Sequence, residues 1–237
     1  MPKIGILCAV ERELKPFLDK MGPSDSFEKA LLTFHEGSLG GVPVLAVACG
    51  VGKANAAMAV QILIDRGADT VIVSGTAGAM ARDIHIFDTV VCTEVVYHDM
   101  DGDILVKYHP WLERPVFASD ENLVELAKAS VGDVPQKVHF GLATTGDSFI
   151  DMDGRHSINE TFRPLCVEME TAAAAQVCYA NKIPFIAIRS ISDSETDHGE
   201  DVFERNCDKA SYHSYLMARA ILSRLAAGLT QDLGVRD

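Results

Sequence analysis

Glu170-Thr-Ala-Ala-Ala-Ala-Gln-Val-Cys-Tyr-Ala-Asn181 followed, after Lys182, by Ile183-Pro-Phe-Ile-Ala-Ile-Arg-Ser-Ile-Ser-Asp193 decides the fold class. The first part reads as a helix that ends at Asn-Lys-Ile-Pro. The second, Ile183 to Ile191, is a near-continuous apolar run, as in a strand covered on both faces. The same alternation continues outward in both directions. Lys3 to Val10, Val44 to Ala48, Asp69 to Ser74, Thr89 to Val96 and Val138 to Thr145 read as strands. Glu11 to Met21, Gly52 to Arg66, Asn122 to Ser130 and Asp208 to Ala226 read as helices. This order predicts one α/β domain over residues 1–237, with a largely parallel central sheet flanked by helices. The stretch from His98 to Ala118, with two Pro and the only Trp, is the least regular, and such loops often border sites.

Bulk composition narrows the function. At 237 residues the chain can bury a full core, and its 48% apolar content is globular. No stretch approaches the roughly 20 apolar residues of a membrane span, and the N-terminus lacks the cationic start and long apolar core of a signal peptide. The expectation is a cytoplasmic protein with no membrane partner. A net charge of −13 argues against nucleic acid, because phosphate contacts need clustered Lys and Arg. A small-molecule partner is expected. Six cysteines are scattered singly, several within apolar runs, with no Cys-x-x-Cys pair and no His at ligand spacing. They read as buried reduced thiols, and neither a metal nor a cofactor is expected.

Carboxylates stand where hydrophobic elements begin or end: Glu11 and Glu13 after the first strand, Val167-Glu168-Met169-Glu170 before a helix, and Asp193 at the end of the last strand. Burying an unpartnered charge costs several kcal/mol, so such positions suit acid/base chemistry better than packing. Gly50-Val51-Gly52-Lys53, Ser74-Gly75-Thr76-Ala77-Gly78 and Thr145-Gly146-Asp147-Ser148-Phe149 lie at further strand ends, where ligands of α/β folds collect. Taken singly, each glycine segment reads as an ordinary strand-to-helix turn, and Glu13 as a solvated carboxylate favoured by the helix dipole. None has the spacing of a nucleotide-phosphate loop.

Together with Tyr97-His98-Asp99, Gly146-Asp147-Ser148-Phe149-Ile150 and Ile191-Ser192-Asp193, these segments stand in an order that resembles the methylthioadenosine/S-adenosylhomocysteine nucleosidases of the purine nucleoside phosphorylase superfamily. The resemblance spans nearly the whole chain, and Val-Glu-Met-Glu with Ile-Ser-Asp is its most specific part. It implies a single-domain nucleosidase fold around a mixed, partly barrel-like sheet, a homodimer, and hydrolysis of the N-glycosidic bond of adenine nucleosides with a 5'-thio substituent.

That reaction needs an acid for the base, a carboxylate for the sugar and a positioned water. The resemblance assigns Asp193 as the acid at adenine N7, with Ser192 orienting it, and Glu13 as the residue that positions and deprotonates water. It gives Glu170 the ribose hydroxyls, Met169 a backbone contact to the sugar, Phe149 a stacking face and the Ile150 backbone the adenine edge. Val51, Thr76 and Gly78 join the binding set, and Phe203 matches an aromatic that covers the site. To donate at neutral pH, Asp193 needs an apolar site or a transition-state hydrogen bond.

Two rivals remain. A phosphorylase attacks with phosphate and places an Arg before the glycine segment of the third strand, where this chain reads Val71-Ile72-Val73-Ser74-Gly75. Arg12 would then hold the anion nearly alone, and Arg189 reads as a paired structural residue. A non-catalytic nucleoside-binding protein would need neither Glu13 nor Asp193. The chain departs from the family at Thr76-Ala77-Gly78-Ala79, usually Ser-Ala-Gly-Gly. It departs again at the charged segment 101–107, which replaces an apolar loop around the 5' group. The 5' substituent therefore stays open between methylthio, homocysteinyl, deoxy and aminodeoxyfutalosine forms, with Leu105, Tyr108 and Trp111 as guesses for its lining.

Overall fold

The computed structural model describes residues 2–22, 24–150, 152–196 and 200–234. Four strands form a parallel centre: β1 (Ile4–Cys8), β4 (Val42–Ala48), β5 (Thr70–Ala79) and β10 (Phe185–Asp193). β5 and β10 are joined through β6 (Thr89–Tyr97), β8 (Val138–Thr145) and β9 (Cys166–Glu168). Because β10 also pairs directly with β5, these five strands close on themselves as a small barrel. On the other side, β4 continues into β3 (Leu32–Leu39) and β2 (Asp25–Lys29), and β7 (Phe117–Ala118) caps β6. The sheet is mixed, because β10 meets β6, and β5 meets β9, antiparallel.

Period-two alternation sends successive side chains of the central strands to opposite layers. Ile4, Ile6, Ile72, Ile186 and Ile188 pack toward α1 (Glu11–Leu18), α4 (Glu121–Ala129) and α7 (Glu200–Gly234). Leu7, Val71, Val73 and Ala187 pack toward α2 (Lys53–Asp65) and α6 (Thr171–Asn181). Ala172, Ala173, Ala174 and Ala175 of α6 are buried to the last atom or nearly so, which lets the start of that helix lie close on the sheet. All six cysteines are buried and unpaired. Among the described residues no helix is long and apolar enough to cross a membrane.

Two readings of the sequence need correction. Ser74 to Gly78 is not a turn after a strand; it continues β5 to Ala79, and its glycines have ordinary extended backbone. They are small because charged side chains press against them. Ser192 and Asp193 likewise lie inside β10, where Asp193 pairs with Gly78 after a register shift at Ser192. The true turn is Gly50-Val51-Gly52, where both glycines have positive φ, 84° and 102°, a region costly for other residues. The irregular loop contains the short helix α3 (Gly102–Lys107), which starts at Asp101. The remaining helix, α5 (Met152–Phe162), precedes β9.

Candidate active site

The carboxyl ends of β1, β5 and β10 open onto a cavity of about 460 Å³, a size suited to a small-molecule ligand. All eleven residues singled out from the sequence line it. Glu13 comes from α1, Val51 from the turn before α2, and Thr76 and Gly78 from β5. Phe149 and Ile150 follow β8, Met169 and Glu170 precede α6, Ser192 and Asp193 end β10, and Phe203 comes from α7. Glu13, Glu168, Glu170, Ser192 and Asp193 are buried, whereas Phe149 and Val51 are about half exposed at the mouth.

Glu13 is fixed by local helix chemistry. Val10, at the N-cap of α1, has no polar side chain, so the Glu13 carboxylate turns back to the orphan N–H groups. Oε2 accepts from Ala9 N at 2.8 Å and Val10 N at 3.3 Å. Oε1 accepts from Thr76 N at 2.7 Å and Thr76 Oγ1 at 2.8 Å. A carboxylate offers about four lone-pair sites, so Glu13 is held in one orientation, and the Thr76 hydroxyl is the donor able to rotate away. A methyl group on Gly75 would stand 2.7 Å from both Glu13 Oε1 and Arg189 Nη1, which is why this point of β5 carries no side chain.

Arg189 is fully buried in the middle of β10 and organises a second group of carboxylates. Its Nη2 donates to Glu168 Oε2 and, at 3.3 Å, to Glu170 Oε2, while Nε donates to Thr171 Oγ1 at 3.1 Å. Burial opposes its charge, but Glu168, Glu170 and Glu13 more than reverse that, and the guanidinium stays cationic. Glu168 also accepts from Glu170 N at 2.9 Å and Thr171 N at 2.8 Å, capping α6. Glu170 Oε1 accepts from Gly52 N at 2.9 Å. Burial pushes the Glu170 carboxyl up to about 7 despite the opposing pull of Arg189. The Cys49 thiol nearby is pushed up to about 12 by burial, reinforced by Glu170, so it supplies no thiolate nucleophile.

At the far wall, Asp193 Oδ1 accepts from Ser192 Oγ at 2.8 Å, and Oδ2 from Arg155 Nη2 at 2.6 Å. Asn206 of α7 pins the Ser192 carbonyl at 2.8 Å. The surroundings of Asp193 are therefore charged rather than apolar. Three arginines approach this end of the sheet, and each is committed to carboxylates: Arg189 to Glu168 and Glu170, Arg155 to Asp193, and Arg12 to Glu204 and Asp208. Arg155 carries no sequence signal, since it lies in an undistinguished polar helix. Glu168 was visible in the motif, but its capping role needed the register of β9. Leu105, Tyr108 and Trp111 do not line the cavity; Leu105 is buried elsewhere, and the two aromatics are exposed. The charges of the 101–107 segment partly satisfy one another, Lys107 meeting Asp103 at 2.7 Å.

Comparison with known proteins sets this geometry in context. Residues 3–223 match the family model of the phosphorylase superfamily. A 5'-methylthioadenosine/S-adenosylhomocysteine nucleosidase of Shewanella piezotolerans is 38% identical, over 94% of this chain and 100% of that protein. A solved nucleosidase of the same name from Colwellia psychrerythraea, in complex with adenine, is 35% identical with a TM-score of 0.87, covering 94% of this chain and 96% of that one. A futalosine hydrolase of Helicobacter pylori is 25% identical with a TM-score of 0.85, covering 94% and 98%.

Proposed function

The chain belongs to the phosphorylase superfamily, in its 5'-methylthioadenosine/S-adenosylhomocysteine nucleosidase branch, and we propose that it hydrolyses the N-glycosidic bond of these two nucleosides, releasing adenine and the thioribose. One observation carries the reading. Two buried carboxylates from different elements, Glu13 of α1 and Asp193 of β10, face one cavity whose neighbouring arginines Arg155 and Arg189 are already paired. Phosphate would need several free Arg or N–H donors, whereas water needs a base.

In this reading Asp193 gives a proton to N7 while the C1'–N9 bond breaks and its electrons pass to the purine. Glu13 takes a proton from the water whose oxygen bonds to C1', the Thr76 hydroxyl rotating to make room. Glu170 accepts from the ribose hydroxyls, and the Met169 backbone lies against the sugar. Phe149 stacks on adenine, the Ile150 backbone bonds its edge, and Ser192 orients Asp193. Phe203 covers the site, and Val51 and Gly78 complete its walls. Removing a general acid or base of this kind costs about 10²- to 10⁴-fold in rate.

The whole chain acts as one nucleosidase domain, in the cytoplasm and in methionine salvage, as a homodimer. Tyr108 and Trp111, both exposed in the irregular loop, support the dimer, since large aromatic side chains left in water suit an interface. The likeness to a futalosine hydrolase keeps a different 5' substituent as the second reading. Adenine release from 5'-methylthioadenosine, S-adenosylhomocysteine, 5'-deoxyadenosine and aminodeoxyfutalosine, with and without phosphate, tests all of this. Release from the first two in phosphate-free buffer, with free sugar as product, is expected. Strict phosphate dependence with ribose 1-phosphate as product would move the chain to the phosphorylases.

A further inference from the structure

Arg155 reaches the cavity wall from α5 and is 4% exposed. Its Nη2 stands 2.6 Å from Asp193 Oδ2, Nη1 donates to the Ala79 carbonyl oxygen, and Nε has no partner among the described residues. A guanidinium taken out of water with a donor unspent is costly, so packing alone gives no reason for it. The neighbouring chain makes room for the pair: a methyl group on Gly78 would lie 2.8 Å from both Arg155 Nη2 and Asp193 Oδ2.

Among the described residues, the other charged groups around the cavity are Glu13 on α1, Glu168 on β9, Glu170 before α6, Glu204 on α7 and Arg189 on β10. Arg189 is taken by Glu168 and Glu170, and Glu204 by Arg12. β5 brings only Thr76, Ala77 and Gly78 to this wall. Arg155 is bonded directly to Asp193, and an opposite charge at this distance favours the carboxylate.

We propose that Arg155 is a positioning residue for the cleavage: it aims the Asp193 carboxyl at the purine and keeps it ionised in the empty site, so that the acid takes up its proton only when the nucleoside is bound. That proton comes from solvent, passes to N7 as the C1'–N9 bond breaks, and leaves with adenine. Asp193 returns to the carboxylate paired with Arg155, and the proton that Glu13 takes from water goes back to solvent, so the balance closes. The inference rests on the reading of Asp193 as the acid.

The test is the pH dependence of kcat/KM for 5'-methylthioadenosine. Activity requires protonated Asp193 and so falls on the alkaline side. Arg155→Gln keeps N–H donors but removes the charge, and is expected to move that limb up by about 1–3 pH units, while Arg155→Lys restores it. An alkaline limb that stays in place in a folded Arg155→Gln enzyme, whatever the loss of rate, reduces Arg155 to a structural residue and overturns the inference. Where Arg155→Gln does not fold, Gly78→Ala serves, since it pries the pair apart: an upward shift supports the proposal and an unmoved limb overturns it. Asp193→Asn separates the two layers. Wild-type turnover in that variant sinks the assignment of the acid itself, whereas a dead Asp193→Asn beside an unmoved Arg155→Gln limb sinks only the role of Arg155.

Discussion

Glu13 and Thr76, 63 residues apart, are joined twice: Oε1 of the glutamate accepts from the threonine backbone at 2.7 Å and from its hydroxyl at 2.8 Å. The first bond fixes the carboxylate against β5, and the second is releasable. The result is a carboxylate that is rigid toward the sheet and has one bond it can exchange on the cavity side.

Glu13→Gln tests that arrangement. The amide keeps the shape but cannot take a proton, and its NH₂ would oppose donors that now meet an acceptor. Turnover should fall by about 10²- to 10⁴-fold, while adenine binding, followed by calorimetry, is retained. A folded variant with near-normal adenine release would remove Glu13 as the base.

Glu170 gives the site a pH dependence of defined sign. Its carboxyl is pushed by burial from the ordinary 4.5 to about 7, and in the proposed role only the ionised form would accept from both ribose hydroxyls. KM should therefore fall as pH rises from 6 to 8. In the ligand-free protein the neutral form is the favoured one, so its contribution to stability is complete below about pH 4.5 and lost as pH rises through about 7. The difference in melting temperature between wild type and Glu170→Gln, measured from pH 4.5 to 8, isolates this group. A difference that does not change with pH contradicts the shift.

Gly75→Ala introduces a methyl group 2.7 Å from both Glu13 Oε1 and Arg189 Nη1, side chains too firmly bonded to yield. Overpacking of this kind costs roughly 1–3 kcal/mol, read by urea denaturation, and, with Glu13 in its proposed role, activity should fall further than stability because its carboxylate is displaced. Full activity in Gly75→Ala would mean that the Glu13 cradle is softer than its hydrogen bonds indicate.

Trp111, 66% exposed beside the equally exposed Tyr108, is the expected anchor of the dimer. An aromatic left in water is costly and suits an interface. In the proposed dimer the loop from His98 to Ala118 completes the partner's 5' pocket, so Trp111→Ala should weaken dimerisation in sedimentation and raise KM for 5'-thio nucleosides more than for adenosine. A wild-type enzyme that is a fully active monomer at assay concentration would end the idea of a shared site while leaving the adenine and ribose assignments in place.

The long apolar runs were legible because burial on both faces leaves an uninterrupted signal: β8 falls on Val138–Thr145 as read, and α2 and α4 fall within a residue or so. The β2–β3 hairpin was missed because its alternating side chains are largely exposed, and β9 because three residues carry no period. α5 was missed because its sequence is mostly polar.

By itself the sequence determined the layer order and the acidic motifs, because side-chain polarity and spacing are local properties. Which carboxylate meets which cation was decided only by tertiary structure. Arg155 and Asp193 are 38 residues apart, and Arg189 meets Glu168 across 21. Neither pairing exists until β10 closes onto β5 and β6. Closure removes water from those charges, and it is the loss of water, together with the neighbour each charge finds there, that turns ordinary acidic residues into a site.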